Sequence, residues 1–340
     1  MTKKPLNIGE FAKLSGVSKT TVSMAFNDDP RIPQKTKEKV LKAAKKFGYQ
    51  PSMVARSLRS KKTKAIGLRL PSITNPFFPQ IVKGVEDAAL KNGYSVIFCN
   101  FDEEIEKESL YFQMFENRWI DGIIFSGVTG DKQEINYIEE IQKKGIPIVF
   151  IDRGLEGHFS DVVMIDNDEA TYKGTKYLLD LGHKRIGFVN GPTEIRLFAK
   201  RLKGHKKALQ EKRVELDESL IVEGEQSSKT AESAVRQFLA QTLSPTAIFT
   251  TSDLVAIAVL RAVQKSGLKV PEDISVMGFD DIPLASLVNP SLTTIAQPIQ
   301  EIGREAFKLL IDRIERKDSP KRKIVLDTKL VVRESTAKPK

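Results

Sequence analysis

Cysteine, tryptophan and histidine are nearly absent from this chain. Among 340 residues there is one cysteine (Cys99), one tryptophan and three histidines (His158, His183 and His205). A single cysteine excludes an internal disulfide and fits a reducing cytosol. The histidines are scattered and lack metal-ligand spacing. His183, in Leu-Gly-His-Lys-Arg, reads as a loop residue before a strand, and His205 falls on a basic helix. No metal site is expected. No apolar run approaches the about 20 residues a membrane span requires. The N-terminal lysines are not followed by an apolar stretch, so no signal peptide is expected. There is no phosphate-cradling Gly-x-x-x-x-Gly-Lys-Ser/Thr, no Gly-x-Ser-x-Gly elbow and no His-Glu-x-x-His. Neither an enzyme nor a resident cofactor is expected.

Positive charge is plentiful, and it is concentrated. The net charge is +10. Residues 1–64 hold 16 Lys/Arg against 4 Asp/Glu, a balance of +12; the remainder holds 38 against 40, a balance of −2. Such a local excess attracts a polyanion and makes the attraction salt-dependent. A generically basic tail would show the same balance, but this segment carries a folded pattern.

Residues 7–27 read as two short helices around a tight turn. Phe11, Ala12 and Leu14 give the first an apolar side, and Gly16 stands where the chain must reverse. Ser18 is a natural N-cap for the second helix. Val22, Ala25 and Phe26 recur at helical spacing and point inward, leaving Lys19, Thr20, Ser23 and Met24 facing out. This is the layout of a helix-turn-helix whose second helix enters the major groove of DNA. An ordinary helical hairpin is the plainer alternative.

Residues 33–47 read as a third helix with Val40, Leu41, Ala44 and Phe47 as its apolar stripe and Gly48 as its stop. Tyr49-Gln50-Pro51 is expected to be extended. Residues 52–60 suit one more short helix, too short to be stable alone. Residues 61–64 form a charged linker. From Ala65 the texture changes to buried-type strand runs alternating with amphipathic helices. One series spans 66–70, 95–99, 122–125 and 148–152; a second spans 162–165, 185–190, 220–223, 246–250 and 274–279. This predicts an all-α headpiece followed by an α/β core of two doubly wound parallel-sheet lobes facing a cleft. Ligands in such sheets bind beyond the carboxyl ends of the strands.

Polar groups collect at those ends: Ser72 and Asn75, Asp152-Arg153, Ser252-Asp253, and Asp280-Asp281. Carboxylates and an arginine suit a hydroxyl-rich ligand, with Phe77 and Phe78 as an apolar wall. Asp253 and Asp281 could equally cap helices, and Asp152–Arg153 could be a surface pair of little value. Taken jointly, at matching strand ends, they favour a ligand site.

Several stretches carry a likeness to a known family. They are Val17-Ser18-Lys19-Thr20-Thr21-Val22-Ser23, Gly48-Tyr49-Gln50-Pro51, Val54-Ala55-Arg56-Ser57-Leu58, Pro245-Thr246-Ala247-Ile248-Phe249, residues 273–281 (Asp-Ile-Ser-Val-Met-Gly-Phe-Asp-Asp) and Leu292-Thr293-Thr294-Ile295. Together they resemble the lactose-repressor (LacI/GalR) family of bacterial transcription regulators, along essentially the whole chain. The resemblance implies a DNA-binding headpiece over 1–50, a hinge helix and linker over 51–64, and a periplasmic-binding-protein-like core over 65–340. Lobe one is expected at about 65–161 and 293–320, and lobe two at about 162–292 and 321–340.

It also assigns residues. Lys19 and Thr20 fall on the family's main base-reading positions. Asn7, Ser18, Thr21, Ser23 and Asn27 match positions that contact phosphates or neighbouring groups. Met24 stands where the family usually has an arginine; methionine makes no bidentate contact but can touch a thymine methyl. Leu58 matches the hinge leucine that wedges, with its partner's, into the minor groove. Phe77, Asp152, Arg201, Ser252 and Asp280 align with effector-contacting positions, with Asp161 and Gln226 as weaker candidates.

The implied partners are double-stranded operator DNA, a sugar-like effector and a second copy of the chain. No tetramer-forming leucine tail follows residue 334, so a homodimer is expected, in the cytoplasm and away from membranes. One alternative keeps DNA binding but has the core answer to a phosphorylated carrier protein at the basic helix near residues 200–207. Another, of a different class, is a sugar-binding protein or sugar-modifying enzyme without a regulatory role. If the hinge reading holds, Leu58→Ala weakens specific operator binding far more than non-specific DNA binding. Equal losses in a titration against both DNAs would count against the wedge.

Overall fold

The computed structural model describes residues 6–51, 62–101, 111, 115, 119–127, 132–152, 161–316 and 320–340, with residue 133 described in its backbone only. The expected hinge helix with Leu58, most of residues 104–117, whose sequence reads as one of the amphipathic helices, Arg153 and His158 lie outside the described residues. The chain divides into two compact units, Met1–Lys64 and Ala65–Lys340.

The first unit holds three helices: α1 Ile8–Ser15, α2 Lys19–Phe26 and α3 Gln34–Phe47. Asn7 starts α1 with a full capping box. Its Oδ1 accepts from the amides of Gly9 and Glu10 at 2.9 and 3.0 Å, and the Glu10 carboxylate accepts from the Asn7 amide at 2.9 Å. Gly16, at φ 68°, turns the chain, and the Ser18 hydroxyl accepts from the Thr21 amide at 3.0 Å to start α2. The small core comprises Phe11, Ala12, Val22, Ala25, Val40, Ala44 and Tyr49. Tyr49 does more than extend the chain: Gly48, at φ 66°, turns it inward, and its ring stacks on Phe11 with centroids 4.1 Å apart. Leu14, Leu41 and Phe47, expected on the apolar sides, are instead 50, 39 and 37% exposed. On α1 the inward arc is already filled by Phe11, Ala12 and Ser15, and on α3 by Val40 and Ala44.

The second unit holds two six-stranded sheets. The chain lays down β1 Ala65–Leu70, α4 Phe77–Lys91, β2 Ser95–Asn100, β3 Gly122–Ser126, α5 Lys132–Lys143, β4 Ile148–Ile151 and β5 Asp161–Ile165. It continues with α6 Asn167–Leu181, β6 Ile186–Asn190, α7 Arg196–Glu211, β7 Ile221–Glu223, α8 Ser228–Leu239, β8 Ala247–Thr250, α9 Asp253–Lys265, β9 Ser275–Asp280 and β10 Thr293–Ala296. Last come α10 Ile299–Glu315, β11 Lys323–Leu326 and β12 Lys329–Val331. Sheet one has the order β11-β5-β4-β3-β1-β2; sheet two has the order β12-β10-β9-β8-β6-β7. All pairs are parallel except β10–β12. Apolar runs buried on both faces form such sheets, since helices must cover each side.

The lobe boundaries differ from those expected. Residues 161–165 belong to lobe one, pairing with both β4 and β11. Residues 293–296 belong to lobe two, between β9 and β12, and 323–326 return to lobe one. The chain therefore crosses between lobes three times, near Asp166, at 297–298 and at 327–328. Nothing local marks which sheet a buried strand will join; long-range pairing decides it.

Glycine sets the helix spacing in each lobe. A Cβ on Gly204 of α7 would lie 2.1 Å from the Asp168 carbonyl of α6, and one on Gly84 of α4 would lie 2.1 Å from the Gln300 carbonyl of α10. Beside Gly204, His205 is buried, stacked on Phe188 at 4.3 Å, and shares a 3.0 Å hydrogen bond through Nδ1 with the Thr175 hydroxyl. Burial, with Lys206 nearby, pushes the imidazole down to about 3. In the unfolded chain it takes up a proton at about 6.5. Its neutral packing thus stabilises the fold above that pH, and the contribution is lost as pH falls towards 3, by about 1.4 kcal/mol per pH unit. Denaturant unfolding from pH 7 to 4 is expected to show the stability gap between the native chain and His205→Gln shrinking as pH falls. A constant gap would contradict the neutral, buried state of this ring.

Candidate functional site

In the first unit, Lys19 and Thr20 are exposed at the start of α2. Thr21, Ser23 and Met24 are half-exposed on the same helix, while Val22 and Ala25 are buried. Asn7 and Ser18 each cap a helix, so their side chains are held in place rather than free. Ser18 also shares a 2.9 Å hydrogen bond with the Thr21 hydroxyl, and Asn27 closes α2 with Nδ2 donating to the Ser23 hydroxyl at 3.4 Å. The predicted DNA contacts described here therefore sit on α2 or at helix ends beside it.

In the second unit, Arg201 of α7 is 4% exposed. A guanidinium out of water needs partners. Its Nε donates to Asn167 Oδ1 at 2.9 Å, its Nη1 donates to the Thr251 carbonyl at 2.5 Å, and its plane lies 3.8 Å over the Phe279 ring. Burial lowers its pKa, while the carboxylates of Asp280 and Asp152 raise it. Asp280 ends β9 in lobe two, and Asp152 follows β4 in lobe one. The cation is therefore in the field of carboxylates from both lobes.

Asp280 is 5% exposed and accepts from Gln297 Nε2 at 2.7 Å. Burial pushes its carboxyl well above the usual range; Arg201 pulls it down, and Asp253 and Asp152 push it further up. Asp253, fully buried, accepts from the Thr294 hydroxyl at 2.6 Å and the Ile282 amide at 2.9 Å, and burial raises it to about 6. It packs against Gly278, where any Cβ would lie 2.2 Å from its Oδ1. Asp152 holds a φ of 76° and donates its amide to the Val163 carbonyl at 2.8 Å.

Ser252 precedes α9 as its capping residue, yet its hydroxyl makes no cap bond. That oxygen has no hydrogen-bond partner among the described residues. The same holds for Ser126 Oγ, Asn190 Oδ1, Gln297 Oε1 and both amide atoms of Gln226. Ser126 ends β3, Asn190 ends β6, Gln226 follows β7, and Gln297 follows β10. All stand at or just past carboxyl ends of strands. Buried polar atoms are rarely left unpaired without reason, and a bound ligand would pair these. Phe77 opens α4 beyond the end of β1, edge-on to Phe78 at 5.2 Å.

Two expectations change. Asp161 is no ligand contact: it begins β5, at the amino end of the sheet, and is fully buried in an ion pair with Arg313 at 2.7 Å, also accepting from the Arg322 amide at 2.9 Å. The helix near 200–207 offers less free positive charge than its sequence suggests: Lys203, Lys206 and Lys207 pair with Asp168, Glu218 and Glu169, and Lys200 stands beside Arg196 and Lys323. Asn190, Gln297 and Ser126 were missed, although each is a polar residue closing an apolar strand run.

Comparison with known proteins decides the family. Residues 7–52 match the model of bacterial regulatory proteins of the lacI family, and residues 175–336 match the periplasmic binding protein-like domain. The chain is 34% identical over 328 residues to the HTH-type transcriptional repressor PurR of Photobacterium profundum, covering 96% of this chain and 98% of the relative. It is 37% identical over 330 residues to the HTH-type transcriptional regulator DegA of Bacillus subtilis, covering 97% and 98%. The chain belongs to the LacI family. A lac repressor dimer bound to operator and the anti-inducer ONPF superposes on this LacI-family chain with TM-score 0.86 at 27% identity, covering 98% and 100%. The complex of the transcriptional regulator CelR with cellobiose does so with TM-score 0.75 at 30% identity, covering 97% and 99%. This LacI-family member is a DNA-binding transcriptional regulator, with a helix-turn-helix head and a two-lobed α/β core, and not an enzyme.

Removing Arg201 leaves Asp280 buried without its cation. The folded variant then keeps a proton that the unfolded chain releases, so stability falls as pH rises. Arg201→Leu is expected to lose about 3 kcal/mol at pH 8 and distinctly less at pH 5, read from urea midpoints. Equal losses at both pH values would contradict the pairing.

Proposed function

We propose that this protein is a repressor that binds a near-palindromic operator as a homodimer and is controlled by an uncharged, hydroxyl-rich small molecule, a sugar or sugar derivative, in the cleft between its lobes. The observation that carries the effector reading is the set of polar atoms at strand ends without partners among the described residues: Ser126, Asn190, Gln226, Ser252 and Gln297. They offer both donors and acceptors, as hydroxyl groups require. Phe77, Asp152, Arg201, Ser252 and Asp280 are the proposed effector contacts. Arg201 is already engaged by Asn167, Thr251 and the carboxylates, which disfavours an anionic ligand. Relatives of this fold include a CelR–cellobiose complex and a LacI family regulator with bound ribose.

On the DNA side, Lys19 and Thr20 are the proposed base readers, with Asn7, Ser18, Thr21, Ser23 and Asn27 placing α2 on the backbone and Met24 meeting a thymine methyl. Two heads related by a two-fold axis match two half-sites, and Leu58 of each chain is the proposed wedge at the centre. The site of action is the bacterial chromosome, in the cytoplasm. Three lysines of the helix near 200–207 are already paired with acidic side chains, which leaves a phosphocarrier protein less to dock on. The effector shifts operator affinity only by its different affinity for the two states of the core.

Selection of bound fragments from a random duplex pool, with and without a panel of sugars, tests this reading. The expected result is a palindromic consensus whose occupancy one sugar changes. Binding without preference for any palindrome over bulk DNA, whatever metabolite is present, would refute it.

A further inference from the structure

Asp280 and Asp281 are consecutive non-glycine residues with left-handed φ values of 121° and 61°. Side chains seldom accept that backbone, and it persists only where the surroundings over-determine it. Here three groups do so. Arg333 Nη2 donates to Asp281 Oδ1 at 2.7 Å. Asp253 Oδ2 accepts from the Ile282 amide at 2.9 Å. Gln297 donates its amide to the Asp280 carbonyl at 3.1 Å and its side chain to Asp280 Oδ1 at 2.7 Å.

Arg333 is itself held from two further sides. Its Nη1 donates to the Leu292 carbonyl at 2.7 Å, and its amide donates to the Thr293 hydroxyl at 2.9 Å. With its fork filled by Asp281 and Leu292, the guanidinium reads as a clamp rather than a ligand donor. Its place in the chain matters as much. Gln297 lies in the second connection between the lobes, and Arg333 lies two residues past β12, the strand that follows the third. The loop carrying Asp280 is therefore gripped by segments continuous with two of the three inter-lobe connections.

We infer that Arg333 is a positioning residue for effector binding: by gripping Asp281 it sets the direction of the Asp280 carboxylate and ties it to the connections about which the lobes move. This role presupposes that Asp280 contacts the effector, as proposed. Arg333 does not touch the ligand.

The test uses the full chain and the variants Arg333→Ala, Arg333→Lys and Asp281→Asn. Lysine keeps a donor for Asp281, and asparagine keeps the accepting oxygen and tolerates the left-handed backbone. Amide hydrogen exchange is followed at Ile282 and Gln297, with residues 276–278 of β9 as the internal control. In Arg333→Ala, exchange at Ile282 and Gln297 should rise about tenfold or more while the control amides stay unchanged. Both conservative variants should stay close to the native chain. In parallel, glucose, ribose and cellobiose are titrated by calorimetry. A sugar that binds the native chain should bind Arg333→Ala about tenfold or more weakly, while the chain stays folded with its thermal midpoint lowered by only about a few degrees. Unchanged exchange overturns the clamp. So does a rise spread through β9, or faster exchange with unaltered sugar affinity. If none of the three sugars binds the native chain, the proposed effector class fails, and the exchange result alone decides the clamp.

Discussion

The core is organised around a guanidinium that has left water. Arg201 is 4% exposed, and a cation so buried persists only if its neighbours replace its hydration. Asn167, the Thr251 carbonyl and the face of Phe279 do so from lobe two, along with the Asp280 carboxylate. Asp152 adds attraction from lobe one. The same group that stabilises lobe two thus feels the approach of lobe one. Asp280 is balanced on the other side, raised by burial and by Asp253 and lowered by Arg201. A ligand that donates hydroxyls to these carboxylates enters a charge arrangement already poised between the lobes.

Binding DNA and sensing a ligand are physically separate in this chain. The excess of positive charge lies in residues 1–64, and the ligand-type chemistry lies at the strand ends of the core. The head needs little else: three capped helices hold a seven-residue core, closed by Tyr49 against Phe11. Three crossings join the lobes, and two of them run into segments that hold the Asp280 loop. Close helix pairs set by glycine, Gly204 in one lobe and Gly84 with Gly303 in the other, leave those connections as the covalent links between the lobes.

Much of this could be read in the amino-acid order. The change of texture at Ala65 coincides with the unit boundary, and the apolar runs between amphipathic helices are the strands of the two sheets. Arg201 was placed by resemblance alone, since a helix arginine ordinarily faces solvent. What escaped was non-local. Residues 161–165 and 293–296 look alike as strands, and only their partners decide the sheet. Asp152 follows its strand, whereas Asp161 begins one and lies against Arg313. Tyr49 follows a helix stop and reads as extended chain, because the ring it stacks on is far back in the sequence. Asn190 and Gln297 carry amides that signal nothing until their oxygens prove to have no partner among the described residues.

We propose that the core recognises hydroxyl groups through the carboxylates around the buried Arg201 guanidinium. Calorimetry on the purified protein, with a panel of uncharged sugars, their phosphorylated counterparts and purines, tests it most directly. The expected result is binding to an uncharged sugar, abolished in Asp280→Ala, with the phosphorylated counterpart much weaker. Tight binding to a purine, with no heat from any sugar, would contradict it.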